Sequence, residues 1–408
     1  MSRHLPTTVP PGGPPAQTWN RQRLRSNNEW LLLELLRTGG ASSRAQLARD
    51  TGLSKPTVSA ALAALEQAGL AREAGRFVPE RGRTAVLYEL DPTAGYVLGV
   101  DIGRARLRVA VADLAGLIVA RRDIPNKGRT ANAVADAVVA AAREATAEAG
   151  LTAADIVHAV IGTPGVWDEE RRGVRYATSL PGWGRPGLFD RIAEGLGTTI
   201  TVGNDANLAA LGEYTLGAGR GSRMFAYLLV GTGLGVGVVK DGELLSGAHG
   251  AAGEVGLVPL PARPDGAPGG TIEQAAAADA VVATATELGM RGPLTAKQVF
   301  DAARTGDPLA AEAVRREAEQ LAYAVAVLSA VLDPDLLVLG GGLGNSADLL
   351  LEPLERALHR LTPLRPRLAR SELGEEVVLL GAVATALENA RPEVFERRSA
   401  LADHGTSL

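Results

Sequence analysis

V-L-G-V-D-I-G-R-A-R-L-R-V-A-V-A-D-L-A-G-L-I-V-A, residues 97–120, is echoed at 225–245 by F-A-Y-L-L-V-G-T-G-L-G-V-G-V-V-K-D-G-E-L-L. Each stretch reads as a strand, a glycine-containing hairpin tip, a strand, an Asp-x-x-Gly or Asp-Gly turn, and a third strand. Ala-rich helical stretches follow near 131–150, 205–216, 308–331 and 377–390. Two strand triplets, each followed by helices, predict a duplicated α/β body with two lobes around a cleft. At 408 residues the chain has room for two or three domains.

Working outward toward the amino terminus, residues 42–70 read S-S-R-A-Q-L-A-R-D-T-G-L-S-K-P-T-V-S-A-A-L-A-A-L-E-Q-A-G-L. Ser43 is placed to cap a short helix ending near Asp50. Gly52 supplies the left-handed turn. Ser54 caps a second helix whose first turn tolerates Pro56, since the missing N–H has no partner there anyway. Leu47, Ala48, Leu53, Val58, Leu62 and Leu65 form one apolar set, which is helix-turn-helix spacing. An earlier helix is expected from Asn28, as N-cap, through Leu36. Two strands, 70–73 and 85–90, flank the basic loop G-R-F-V-P-E-R-G-R at 75–83, completing a winged helix-turn-helix.

On such a domain the residues expected to reach DNA are Arg44 and Gln46, then Ser54, Lys55, Thr57 and Ser59 on the second helix, and Arg81 and Arg83 on the wing. Short polar side chains reach base edges and phosphates, and arginines suit a narrow minor groove. Charge agrees with this placement. Residues 1–90 hold 12 Lys and Arg against 7 Asp and Glu, a formal +5, which leaves −9 for the remainder of a chain of net −4. The expected organisation is a disordered tail over 1–20, where Pro6, Pro10, Pro11, Pro14 and Pro15 cluster, a DNA-binding domain over 21–90, a body over 91–395 and a second tail over 396–408.

Composition excludes several classes. The chain has 0 Cys, so disulfide frameworks, Cys-ligated zinc and thiol nucleophiles are ruled out. No apolar run approaches the ~18 residues of a spanning helix, and the first residues lack the apolar core of a signal peptide. The expectation is a cytoplasmic protein without a membrane partner. Aromatics are 4% of residues, so the cores must be built from Ala, Val and Leu.

The body carries its polar chemistry at a few places. G-T-G-L-G-V-G (231–237) and G-G-G-L-G (340–344) let backbone approach a phosphate or nucleotide closely, although no Gly-Lys-Ser/Thr follows either. In G-N-D-A-N-L-A-A-L-G-E (203–213), Asn204 and Asp205 stand where a strand ends and a helix begins. A carboxylate there can deprotonate a sugar hydroxyl or hold it by hydrogen bonds, and it can equally cap the helix. Glu254, within H-G-A-A-G-E-V-G (249–256), and Glu273 add acceptors in small-residue loops, a pattern suited to a polyol.

These motifs, taken in order with D-I-G at 101–103, G-T-P-G-V at 162–166 and S-L-P-G-W at 179–183, resemble the ROK family of repressors, open reading frames and sugar kinases, over about 28–390. The resemblance implies an actin-like ATPase fold, a duplicated ribonuclease H-like body whose two lobes close on a sugar and, in kinases, on ATP. Members with an amino-terminal winged helix are sugar-responsive transcriptional regulators, mostly repressors. By motif, Asp205 corresponds to the kinase base, Asn204, Glu254 and Glu273 to sugar ligands, and Gly165 to a backbone contact beside the sugar. Asp101, Gly231, Thr232 and Gly233 correspond to phosphate-loop positions, and Gly341 and Gly342 to the adenosine side.

Two departures bear on function. Kinases of the family read Asp-x-Gly-Gly-Thr where this chain has Asp101-Ile102-Gly103-Arg104-Ala105. The second Gly is lost, and so is a hydroxyl worth roughly 1 kcal/mol in hydrogen bonding. The family's zinc-site His is Leu257 here, and the loop 261–274 has no Cys, so no structural zinc and no other cofactor is expected. The leading expectation is a regulator of double-stranded operator DNA that senses a sugar or sugar phosphate and acts as a homodimer or homotetramer rather than as an enzyme. An active sugar kinase carrying a DNA-binding domain, and a regulator without a ligand, are the alternatives.

Overall fold

The computed structural model describes residues 21–78, 84–177, 182–261 and 269–405. The expected tail over 1–20 and the wing residues Arg81 and Arg83 lie outside the described residues. Two compact units are present, one comprising the chain up to Ala94 together with the residues from Val394 onward, the other Gly95–Glu393.

The first unit is a winged helix. Helix α1 (Arg21–Gly39), strand β1 (Ser42–Ser43), helices α2 (Arg44–Thr51) and α3 (Lys55–Gln67), and strands β2 (Ala71–Phe77) and β3 (Ala85–Leu90) follow in that order. The caps are local chemistry. The Ser43 hydroxyl accepts from the Gln46 amide at 3.2 Å and that of Ser54 from the Thr57 amide at 3.3 Å, while Gly52 takes φ +70°. Leu32, Leu36, Leu47, Val58, Leu62, Leu65, Leu70 and Tyr88 are buried together as the core. The sheet order is β1-β3-β2, all antiparallel.

Two expectations need correction here. Helix α1 begins at Arg21, so Asn28 lies inside it and is not its cap. Residues 396–405 are not a tail. A helix spanning Val377–Gly405 carries Val394 and Phe395 into the winged-helix core, where Phe395 meets Trp30 edge-on at 5.2 Å. The apolar pair at 394–395 makes that burial favourable; it was too short a signal to separate from a frayed end.

The second unit contains the two echoed triplets. Strands β4 (Tyr96–Ile102), β5 (Arg106–Asp113) and β6 (Ile118–Pro125) run antiparallel, and β4 continues in parallel to β7 (Ile156–Thr163) and β10 (Thr199–Asn204), giving the order β10-β7-β4-β5-β6. Strands β8 (Val166–Asp168) and β9 (Gly173–Arg175) form a small separate ribbon. In the second sheet β11 (Met224–Val230), β12 (Leu234–Lys240) and β13 (Glu243–Leu244) are antiparallel, while β14 (Leu336–Gly340) and β15 (Arg367–Arg370) extend it in parallel. Its order, β13-β12-β11-β14-β15, repeats that of the first sheet strand for strand. The duplication read from the sequence is therefore a duplication of topology, the actin-like ATPase arrangement.

Each sheet has its own core. Helices α4 (Ala131–Glu148) and α5 (Leu188–Leu196) cover the first with Val134, Val138, Phe189 and Ile192. Helices Ala296–Arg304, Pro308–Leu332 and Ala347–Leu361 cover the second with Val299, Phe300, Leu321, Val325 and Leu354. Helix α6 (Asp205–Leu216) crosses the helix that begins at Val377 almost backbone on backbone. A Cβ on Gly212 would stand 2.7 Å from the Val377 carbonyl oxygen, and one on Gly381 would collide with the Leu208 carbonyl. The same late helix lies against β4, where a Cβ on Gly99 would come 3.0 Å from the Val383 nitrogen. Gly381→Ala is expected to destabilise the body by about 1–3 kcal/mol or more, because neither carbonyl nor helix can yield without moving the other. The measurement is the denaturation midpoint, and an unchanged midpoint would contradict this packing.

Candidate functional site

Within the second unit one cleft of about 690 Å³ is lined by both hairpin tips, by the start of α6 and by loops of both halves. Every body residue singled out from the sequence lines it: Asp101, Gly165, Asn204, Asp205, Gly231, Thr232, Gly233, Glu254, Glu273, Gly341 and Gly342.

One end is built from carboxylates. Strand β10 ends at Asn204, whose Oδ1 accepts from the Asn207 amide at 3.1 Å and so caps α6, while its Nδ2 donates to the Gly165 carbonyl at 3.1 Å. Asn204 is thus the cap, and Asp205, one residue on, is free to face the cleft. Gly165 has φ +94°, and a Cβ there would stand 2.5 Å from the Arg175 carbonyl, so the loop needs glycine. Trp183 braces the strand beneath it, its Nε1 donating to Thr163 Oγ1 at 2.6 Å in a fully buried contact.

Burial pushes Asp205 up to about 6, against the lowering hydrogen bonds of the Ala206 amide (2.8 Å) and its own backbone amide, with the charge of Glu273 adding to the rise. Glu254 is also raised, first by burial and then by Asp205 and Glu273. Glu273 Oε2 accepts from the Leu234 amide at 3.0 Å, and a Cβ on Gly233 would stand 2.7 Å from that oxygen. Three acidic side chains gathered in one part of the cleft are matched to hydroxyl donors, and Asp205, raised to about 6, is matched to general-base work.

The other end is the β4–β5 hairpin. Its register sets Asp101 opposite Arg108. Arg108 Nη1 donates to Asp101 Oδ2 at 3.1 Å and Nη2 to Glu375 Oε2 at 2.9 Å, while Nε stands 3.6 Å from Asp123 Oδ2. Asp101 is 6% exposed, and burial outweighs Arg108 and pushes it up to about 6. Across the cleft the Gly231 amide donates to the Gly233 carbonyl at 2.9 Å, so that N–H is already committed. Gly341 takes φ +84°, where a Cβ would stand 2.6 Å from the Val230 carbonyl, and the space beside Gly342 is open.

Sequence reasoning missed Arg108 and Glu375, and it missed Arg175 and Tyr176. Tyr176 lines the cleft in the left-handed region at φ +62°, with the Arg175 guanidinium 5.6 Å above its ring. Register counted back from the hairpin tip would have found Arg108; the others carry no local signal. Leu257 is 51% exposed. The chain has no Cys. Among the described residues no group of three His, Asp or Glu is placed to hold a metal.

On the winged helix, Lys55 and Ser59 are exposed along α3 and Thr57 is half-buried. The remaining candidates are partly engaged. Ser54 Oγ and Thr57 Oγ1 are 2.8 Å apart. The Arg44 guanidinium lies 4.7 Å over the Tyr88 ring, and Gln46 Nε2 donates to Asp50 at 2.7 Å. Arg76, exposed on β2, is a basic residue the sequence reading did not single out.

Comparison with known proteins agrees with this architecture. A model of the ROK family matches residues 97–389, and one of the MarR family matches residues 26–83. The chain is 30% identical over 321 residues to a glucokinase of Streptomyces coelicolor, covering 72% of this chain and 98% of that one. It is 26% identical over 390 residues to a putative xylose repressor of Caldicellulosiruptor sp., covering 91% of this chain and 98% of that one. Among solved structures, a ROK family transcriptional regulator described as a homologue of the E. coli MLC protein superposes with TM-score 0.74 at 22% identity, over 92% of this chain and 99% of that one. The repeated five-stranded sheets, the shared cleft and the leading winged helix thus meet in a single assignment: the chain belongs to the ROK family and carries an amino-terminal MarR-type winged helix.

Proposed function

We propose that this protein is a sugar-responsive transcriptional repressor. It binds double-stranded operator DNA through the winged helix and takes a sugar or sugar phosphate in the cleft. The observation that carries this reading is the coexistence of a DNA-reading domain with a cleft that keeps Asn204, Asp205, Glu254 and Glu273 together. The full-length similarity to a putative xylose repressor supports it. A sugar that binds one state of the cleft more tightly than another shifts the population competent for DNA. Paired recognition helices reading half-sites about one helical turn apart call for a homodimer or homotetramer. The wing arginines Arg81 and Arg83 enter the minor groove, the protein works in the cytoplasm, and no structural zinc is needed. Sugar kinase activity is the second reading, favoured by Asp205 near pKa 6 and by the glucokinase relative. Arg104, Ala105 and the Arg108 pair on Asp101 weigh against it.

Asp205→Ala is expected to abolish the response of DNA binding to sugar while leaving operator affinity intact, as read by fluorescence anisotropy over a sugar panel. A retained response would refute the assigned sugar site.

Lys55→Ala is expected to weaken DNA binding across sequences and to lower the slope of log affinity against log salt by about 1, the loss of one phosphate contact. Unchanged affinity and slope would remove Lys55 from the interface.

Asp205 also predicts a pH signature. Its proton is favoured in the folded state, so its contribution to stability is full below about pH 4 and lost as pH rises through about 6. The melting temperature of Asp205→Asn relative to wild type should therefore climb between those values. A difference independent of pH would show that Asp205 is not held in a desolvated position.

A further inference from the structure

We propose that the β4–β5 hairpin is a metal-free anion site, in which Arg104 takes the phosphoryl group of a phosphorylated ligand and Arg108 stands where a divalent cation would otherwise neutralise Asp101. The inference deepens the reading of the cleft as a sugar site and names the charge at the far end of the ligand.

Charge at the hairpin carries the proposal. Three arginines of this hairpin line the cleft: Arg104, Arg106 and Arg108. Two are spent. Arg106 Nε donates to Asp123 Oδ1 at 2.8 Å, and Arg108 is shared between Asp101 and Glu375. Arg104 is exposed at the tip and has no hydrogen-bond or ion-pair partner among the described residues. An unspent guanidinium whose planar fork matches two phosphate oxygens, lining a cleft of ligand size, is suited to an anion.

A divalent cation fits poorly at the same place. Magnesium requires several oxygen ligands in near-octahedral geometry. Asp101 is the acidic group of the hairpin, it is buried, and its Oδ2 already accepts from Arg108 at 3.1 Å. A cation there would sit against a guanidinium. Arg104, Arg106 and Arg108 set three positive charges against the carboxylates of Asp101, Asp123 and Glu375, so the hairpin carries no net acidic charge to repel a phosphate. The carboxylates of Asp205, Glu254 and Glu273, which have no ion-pair partner among the described residues, mark the hydroxyl-binding part of the cleft. Both groups, these carboxylates and the hairpin arginines, line the same cleft of about 690 Å³, so one ligand can meet both. Open space beside Gly342 and the exposed Thr232 leave room in the same cleft.

The test uses the full-length protein with inorganic phosphate as probe, titrated by thermal shift in EDTA and again with magnesium. Saturable stabilisation is expected in EDTA, with an unchanged midpoint in magnesium. Arg104→Ala is expected to weaken it roughly tenfold or more, the scale of one lost charged hydrogen-bonding pair. Arg104→Lys should retain part of it. Saturation that requires magnesium, no saturation at all, or an Arg104→Ala variant equal to wild type would overturn the proposal. A neutral-sugar panel run in parallel separates the two readings. Sugar binding without phosphate binding overturns the anion site alone. Phosphate binding without any sugar binding supports the anion site and counts against the sugar reading.

Discussion

Much of the second unit depends on one contact, the crossing of α6 and the helix from Val377 at Gly212 and Gly381. Side chains normally hold crossing helices 8–10 Å apart. Here a Cβ on either glycine would meet a backbone carbonyl of the other helix. The closeness fixes α6 against the late helix, which in turn lies on β4 through Gly99. It sets two functional groups at once: Asp205 at the start of α6, and Glu375 just before the late helix begins. Glu213, near the end of α6 and fully buried, reinforces the junction by accepting from the Leu373 amide at 2.9 Å and the Ala218 amide at 2.8 Å.

From that junction the cleft acquires two chemically distinct ends. Acidic groups held out of water resist ionisation. At Asp205 the rise is opposed only by backbone amides, so the group sits near 6 and can accept or remove a hydroxyl proton. At Asp101 burial has the same effect, but Arg108 is at hand, and the pair is tied to Glu375 beyond it. Burial raises both aspartates alike, and of the two Asp205 has no side-chain cation beside it among the described residues.

Much of this was legible in the sequence because it rests on local rules. Strand triplets with Asp-Gly turns announce themselves by period and turn chemistry, and Ser43, Gly52 and Ser54 cap as their types require. Asn204 and Asp205 were legible because they stand where a strand meets a helix, and Gly231 and Gly341 because each opens a glycine run directly after a strand. What escaped depends on distant pairing. Arg108 meets Asp101 through hairpin register, and Glu375 joins them from 267 positions away. Phe395 falls at the end of the expected body, 91–395, but its partner, Trp30, lies near the other end of the chain. Asn28 has the residue type of a cap, but the helix extends upstream of it through polar residues that carry no apolar period.

The central claim is that one chain couples a sugar in the cleft to DNA at the winged helix. The most direct measurement is the affinity of the full-length protein for the DNA upstream of its own coding sequence, repeated with a panel of sugars and sugar phosphates and with ATP. The account predicts specific binding that one sugar or sugar phosphate releases and that ATP leaves unchanged. Specific binding indifferent to every sugar, or no specific binding at all, would contradict it.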